Sequence, residues 1–446
     1  MALKALDIFK LLPKTNCKKC GCPTCLAFAM KLAQKQASLD QCTDLSAESK
    51  SALEGSSAPP VRLITIGSGE GKVEVGNETV MFRHDESFYH QPGIAVLVSD
   101  KLSDKDLDAK VAAIAKLKFI RVGMELKIRL VAVQNDSGAA EPFVKAAAAV
   151  QKLGLPMILM SAEAAHIEKA LAQGSAHRPL IHAATEEKWE SFARLAKEKS
   201  CPLAVSAPDL DRVAALAEKV KGAGVEDIII DLTAQTAVDT LQALTASRRL
   251  ALKRKAKGVG YPAMVVSKVA DPLANLSDCS AYTAKYAGIV VTTLDKPEQL
   301  LPILTVAQNI YTDPRKPIQV EAKLYEIGAV TPQSPLLITT NFSLTYYTVE
   351  GEVEACRVPA YIGVIDTEGT SVLTAFASDK LTSEKLAAFL ASDEIKKKIG
   401  HKKVILPGYI SAMSGSLKDD SGWTVLVGPR EASGISKYLK TVWPTA

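Results

Sequence analysis

The stretch Cys17-Lys-Lys-Cys20-Gly-Cys22-Pro-Thr-Cys25 gathers four of the chain's eight cysteines, and a fifth, Cys42, follows. Thiolates crowded in this way can hold a metal or form a redox pair, because the deprotonated sulfur is both ligand and nucleophile. A structural zinc site usually separates its two C-x2-C pairs by a long spacer, so that each knuckle has its own turn; here only Gly21 stands between the pairs. A C-x2-C redox dithiol leaves Cys42 without a purpose. A 4Fe-4S cube takes one thiolate per iron, so three ligands close in sequence can wrap three corners while a remote one closes the fourth. On that reading Cys17, Cys20, Cys25 and Cys42 are the ligands. Cys22 is the spare, since ligation by two cysteines one residue apart strains the turn. Zinc and a dithiol are the competing readings.

The remaining cysteines, Cys201, Cys279 and Cys356, are isolated and expected in the core, where free cysteine is commonly found. The elements around them read as an ordinary globular protein. Of 446 residues, 47% are hydrophobic and 23% charged, enough for two or three domains with their own cores. The balance of 54 Lys plus Arg against 49 Asp plus Glu gives a net charge of +5 without a basic block, so nucleic acid is not an expected partner. Lys4, Asp7 and Lys10 interrupt the apolar N-terminus, which is unlike a secretory signal, and no run has transmembrane length. A cytosolic location is expected, where clustered cysteines serve metals or catalysis rather than disulfides.

Four segments follow from composition. Residues 1–57 hold the cysteines, with helices expected over Leu3 to Leu12 and Thr24 to Gln36, and end in a linker, Glu54 to Pro60, on which the cysteine module is expected to move. Residues 58–92 alternate apolar positions with Gly-rich turns and should form short strands; their GSGEGK lacks the spacing of a phosphate loop. Residues 93–316 hold eight apolar runs, such as IAVLVSD (94–100), DIIIDL (227–232) and GIVVTT (288–293), alternating with amphipathic segments. Runs of this kind are parallel strands buried on both faces, and eight over about 220 residues is the size of a (β/α)8 barrel. An open doubly wound sheet is the second choice. Residues 317–446 read as strand, helix, strand, strand, helix, a small Rossmann-like domain with Gly-rich loops at strand ends where ligands sit.

These three parts together resemble the large subunit of the corrinoid iron–sulfur protein of the acetyl-CoA (Wood-Ljungdahl) pathway. The resemblance rests on PKTNCKKCGCPTCLAFAMKLA with Cys42, and on LLITTNFSLTYYTVEGEVE with DTEGTSVLTAFASDK. It implies a 4Fe-4S cluster and a corrinoid, bound by the C-terminal domain, whose cobalt carries a methyl group from methyltetrahydrofolate to acetyl-CoA synthase. A methyltransferase loads it, the cluster returns oxidised cobalt to Co(I), and a smaller barrel-shaped subunit forms a heterodimer with this chain and completes the pocket. The chain would then be a methyl-transferring carrier, with no catalytic acid or base of its own.

The sequence lacks the D-x-H-x-x-G motif through which many cobalamin proteins offer an imidazole to cobalt, and His401 reads as a solvated surface residue. A corrin without that bond must be held by backbone groups and small hydroxyls. The candidates are Thr340, Thr345, Gly369, Thr370, Ser371, Val372, Leu373, Ala377, Ser378, Gly408, Tyr409 and the run Gly428, Pro429, Arg430, Glu431, Ala432 and Ser433, which precedes a helix suited to a phosphate. In the barrel, Asp136, Ser161, Asp231, Lys268 and Thr293 stand at strand ends. No His is expected to join them, and the barrel reads as scaffold and interface. Arg248, Arg249 and Arg254 read as exposed helix faces. The rival functions are a barrel methyltransferase with an accessory iron–sulfur domain, and an electron-transfer or assembly subunit without corrinoid.

Overall fold

The computed structural model describes residues 5–33, 37, 41–46, 49, 59–173, 178–313 and 317–443. Helices α1 (Ala5–Leu11) and α2 (Cys25–Ala33) stand where expected. The outer parts of the expected spans, and the linker up to Ala58, lie outside the described residues. The chain divides into two compact units: Met1–Met81, Tyr89–Ile114 and Arg129–Asp295 form the first, and Phe82–Phe88, Ala115–Ile128 and Lys296–Ala446 the second.

In the first unit, β1 (Ile64–Ile66) and β2 (Val73–Val75) pair as an antiparallel hairpin. Strand β3 (Gly93–Ser99) opens a barrel; β4 (Lys118–Arg121) and β5 (Met124–Lys127) are an inserted hairpin that the sequence reading missed and that belongs to the second unit. The barrel continues through β6 (Leu130–Gln134), β7 (Met157–Met160), β8 (Leu180–Ala184), β9 (Leu203–Ser206), β10 (Ile228–Asp231), β11 (Ala263–Ser267) and β12 (Ala287–Thr292). It closes in the order β10-β11-β12-β3-β6-β7-β8-β9, every pairing parallel, and that closure removes the open sheet from consideration. The eight apolar runs became strands because their side chains are buried on both faces, as along Gly93–Val98. Inside, Ala95, Ala132, Ile158, Ile229 and Ile289 pack with Ile64, Ile66, Val73 and Val75 of the hairpin.

The outer helices show why they lie on the barrel. In Leu210–Gly222, Val213, Leu216, Ala217 and Val220 are buried, one stripe at helical spacing. Asp209 accepts from the Arg212 backbone N–H at its start, a cap worth about 1 kcal/mol. Arg248, expected on an exposed face, is instead buried. Its guanidinium donates to Glu78 at 3.0 Å and lies 4.8 Å from the Tyr286 ring centroid.

The second unit holds a sheet of β13 (Leu324–Ile327), β14 (Leu336–Thr340), β15 (Ala360–Ile365), β16 (Lys403–Leu406) and β17 (Thr424–Val427), ordered β13-β15-β14-β16-β17. Only β13 is antiparallel. A core packs on each face, around Leu336, Ile338 and Leu386 on one side and Leu337, Val353 and Ile362 on the other. The structure has more helices than the expected order. Ser343–Cys356, rich in Thr, Tyr and Val, is helical, and its buried Ser343, Tyr346, Val353 and Cys356 keep the helical period. Tyr346 donates to Glu350 one turn on at 2.8 Å. Packing overrides the strand propensity of these residues. Val372–Ala377, Ser383–Leu390 and Asp393–Lys398 precede β16, and Ser414–Ser421 precedes β17.

Among the described residues no helix is long and apolar enough to cross a membrane.

Candidate functional site

The cysteine loop is shaped by its backbone before any metal is considered. Lys14, Asn16 and Lys18 have positive φ, as does Gly21, and three such non-glycine residues so close together are uncommon. Asn16 helps to stabilise the turn, because its side chain accepts from the Cys25 backbone N–H at 2.8 Å. Thr24 accepts from Ala27 N–H at 3.1 Å and starts α2. Cys17 is exposed, Cys20 and Cys42 are half-buried, and Cys22 and Cys25 are buried. Burial raises the Cys42 thiol above its ordinary pKa, a backbone hydrogen bond at Asp44 opposes this, and the nearby Cys20, Cys17 and Cys25 push it further up. Cys22 is not among those neighbours; it packs with Ile8, Leu12 and Phe28. Lys19 pairs with Asp44 at 2.8 Å, fastening the loop to the chain beyond Cys42. Among the described residues no three His, Cys, Asp or Glu close on a single metal ion. The donor set is one of thiols grouped about Cys42, which suits a cluster that takes one sulfur per iron.

Isolated cysteines are buried as expected: Cys201 and Cys279, their thiols pushed up to about 11 by burial, and Cys356 at the end of its helix.

A cavity of about 370 Å³ opens in the second unit at the carboxyl ends of β14 and β16. The chain runs from β14 out to β15 and then back across to β16, so this is the switch point where open α/β sheets take ligands. Of the expected residues, Thr345, Ser371, Val372, Leu373, Tyr409, Gly428, Pro429, Arg430 and Ala432 line it. Thr340, Gly369, Thr370, Ala377, Ser378, Gly408, Glu431 and Ser433 do not. Thr340 is fully buried at the end of β14, and Thr370 donates to the Thr367 carbonyl. Ser378 donates to the Thr374 carbonyl, while Glu431 accepts from Tyr409 at 2.6 Å. Gly408 permits a close approach, since a Cβ there would stand 2.7 Å from the Gly428 carbonyl oxygen. Ala377 and Ser433 are exposed.

The cavity also uses residues that the sequence reading missed: Thr339, Leu344, Thr348, Val349 and the apolar strand ends Leu337, Ile338, Ile405 and Leu406. The hydroxyls of Thr339, Thr340 and Ser343 are buried and have no hydrogen-bond partner. A buried polar atom without a partner is costly; of the three only Thr339 lines the cavity, where it suits a ligand rich in amide groups. The Thr-Thr-Asn-Phe-Ser run was a visible cue, but burial without a partner could not be read from it.

His401 is not a solvated residue. It is half-buried, its Nε2 lies 2.9 Å from the Ser334 carbonyl, and its ring sits between Trp443 and Trp423, at 4.9 and 6.4 Å between centroids. It precedes β16, whereas the cavity lies beyond the other end of that strand. The span of roughly 13 Å follows from the strand rise.

The barrel holds a second cavity, of about 700 Å³, lined by the carboxyl ends of β6 to β11. Ser161, Asp231 and Lys268 line it, Asp136 accepts from Ser99, and Thr293 accepts from Asn275. The expectation that no His joins them is corrected by His182, whose Nε2 lies 2.8 Å from Asp231 Oδ2. Burial alone would raise the Asp231 carboxyl, but His182 and the hydroxyl and N–H of Thr233 hold it below the usual carboxylate range. Barrel closure brings the two together across 49 residues of sequence.

Thiols around Cys42, a closed barrel and a ligand cavity at the switch point of a doubly wound sheet define a multidomain protein with an iron–sulfur module; a family model for an Fe-S cluster matches residues 12–43. Residues 63–439 match the model of the CO dehydrogenase/acetyl-CoA synthase delta subunit. The chain is 44% identical over 441 residues to the corrinoid/iron–sulfur protein large subunit of Moorella thermoacetica, covering 99% of both chains. It is 36% identical over 452 residues to the acetyl-CoA decarbonylase/synthase complex subunit gamma of Methanothermobacter thermautotrophicus, covering 98% of this chain and 99% of that one. Among solved structures, the dihydropteroate synthase of Thermus thermophilus is matched over 50% of this chain and 95% of its own at 16% identity, with a TM-score of 0.38. The chain belongs to the family of corrinoid/iron–sulfur protein large subunits and acetyl-CoA decarbonylase/synthase gamma subunits.

Proposed function

We propose that this chain is a methyl-group carrier, binding a corrinoid in the C-terminal cavity and a 4Fe-4S cluster at Cys17, Cys20, Cys25 and Cys42. The observation that carries it is the switch-point cavity, with the unpartnered Thr339 hydroxyl in its wall, in a chain whose relative is a corrinoid/iron–sulfur protein. A corrinoid held there supplies a cobalt that accepts and releases a methyl group, and the cluster supplies the electron that restores oxidised cobalt.

The chain's own residues bind and enclose. The hydroxyls of Thr339, Thr345 and Thr348 line the cavity and would offer hydrogen bonds to the corrin's amide arms, with Thr340 behind them in the strand end. Gly428, Pro429, Arg430 and Ala432, ahead of the helix Ile435–Val442, would accommodate the nucleotide tail. The remaining expected residues, Gly369, Thr370, Ala377, Ser378, Gly408, Glu431 and Ser433, support these loops. Leu337, Leu344 and Leu373 exclude water. No His is among the described residues that line the cavity, so a corrinoid bound there would receive no imidazole from these walls.

The division of labour is a cluster module at 1–57, a connecting segment at 58–92, the barrel at 93–316 and the corrinoid domain at 317–446. Its partners are a small barrel-shaped subunit, the methyltetrahydrofolate methyltransferase and acetyl-CoA synthase, all in the cytoplasm. Purified anaerobically with its partner from cells supplied with cobalamin, the protein should contain about four iron atoms and about one cobalt per chain. A preparation without cobalt would overturn the reading. His182 and Asp231 favour the rival, a barrel methyltransferase, which requires turnover in cobalt-free protein.

A further inference from the structure

Asn341 follows β14, is 3% exposed, and uses every hydrogen-bonding group of its side chain. Its Oδ1 accepts from the Thr367 N–H at 3.0 Å, the Thr367 hydroxyl at 3.1 Å and the Gly369 N–H at 3.0 Å. Its Nδ2 donates to Gln319 Oε1 at 3.1 Å and to Asp366 Oδ1 at 2.9 Å. The backbone is fixed as well, with Asn341 N–H donating to the Ile365 carbonyl and its own carbonyl accepting from Val320.

These bonds hold the loop from β15 to the helix Val372–Ala377, and that loop needs holding. Glu368 and Gly369 have φ of +55° and +72° in succession, and a Cβ on Gly369 would stand 2.7 Å from the Gln319 side chain. A non-glycine residue in this region persists only where its surroundings determine it. The loop delivers Ser371, Val372 and Leu373 to the cavity wall. Neither Asn341 nor Thr367 lines the cavity, so their effect on it runs through the loop.

We propose that Asn341 is the positioning residue of the cofactor site, setting the loop whose last residues wall the cavity; this rests on the corrinoid reading above. The amide is required rather than its shape. In Asn341→Asp the three donors keep an acceptor, but two donated bonds are lost and a second carboxylate faces Asp366 at the 2.9 Å contact. The double variant Asn341→Asp/Asp366→Asn puts the amide on the other side of that contact and removes the repulsion. The Glu368 N–H, which Asp366 now accepts, lies at an exposed position where water can replace it.

The test uses the full-length chain with its partner subunit, loaded with hydroxocobalamin, in unaltered, Asn341→Asp and double-variant forms. Amide hydrogen exchange at Thr367 and Gly369 is measured in cofactor-free protein, and corrinoid release is followed by its visible absorbance. Asn341→Asp should raise both rates by roughly tenfold or more, and the double variant should bring both back toward the unaltered protein. Asn341→Asp with unchanged exchange and release would overturn the proposal. So would faster exchange without faster release, or a double variant no better than the single one. If the unaltered protein takes up no hydroxocobalamin, the corrinoid reading has failed, and the exchange rates still decide whether Asn341 holds the loop.

Discussion

Cys22 and Cys42 make the sharpest contrast at the scale of single residues. Cys22 and Cys25 are buried in the apolar cluster with Phe28, and Cys20 and Cys42 pack against it; of the cysteines, only Cys20, Cys17 and Cys25 act on the Cys42 thiol. Replacing Cys22 by alanine should leave iron content and the cluster's visible absorbance unchanged, while Cys42→Ala should lower both; the reverse would exchange their roles. His401 gives a pH dependence. Burial, the largest effect, holds its imidazole below the ordinary value, against the hydrogen bond to Ser334. The neutral form therefore favours the folded state. That stability is present above the unfolded pKa of about 6.5 and is lost as pH falls through the lowered folded value. Urea midpoints of the His401→Gln variant should vary less between pH 7.5 and pH 5.5 than those of the unaltered protein. The iron–sulfur module was legible because its cysteines lie close together in sequence. The environment of His401 was not, because Trp423 and Trp443 reach it only through the folded sheet.

Elements explain the next layer of success and failure. The barrel strands were readable because burial on both faces leaves an apolar run that needs no partner to be recognised. Ser343–Cys356 was harder, since β-branched and aromatic residues suit a strand and only packing against β14 and β15 shows the helical stripe. Arg248, at the end of Ala237–Arg249, was misread for a related reason: its partner Glu78 is 170 residues away in sequence. Burial raises the Glu78 carboxyl's pKa even beside that guanidinium, which opposes the shift. Arg248→Met leaves an acid buried without its partner and should cost about 3–5 kcal/mol in urea unfolding. Adding Glu78→Gln should recover most of that loss. Equal destabilisation by the double variant would show that packing, rather than the stranded charge, sets the cost.

At the scale of the molecule, the thiols and the switch-point cavity fall in different compact units. Loss of one cofactor should therefore spare the other. Cys42→Ala protein should still take up hydroxocobalamin, and corrinoid-free protein should still hold iron, as metal analysis of each preparation would show; joint loss in either case would mean that the two sites depend on each other. The three-part architecture was legible because each part has its own periodicity or spacing. The His182–Asp231 pair was not, since it arises when distant strand ends converge, nor were the unpartnered hydroxyls, since their burial depends on the packed sheet. The chain has three tryptophans, and two of them, Trp423 and Trp443, flank His401 in the second unit, while Trp189 begins a barrel helix in the first. Ultraviolet emission from this protein will thus report chiefly on the C-terminal unit. Because a protonated imidazole quenches indole, that light should dim as His401 titrates, a built-in dye for a domain that otherwise needs a coloured cofactor to be seen.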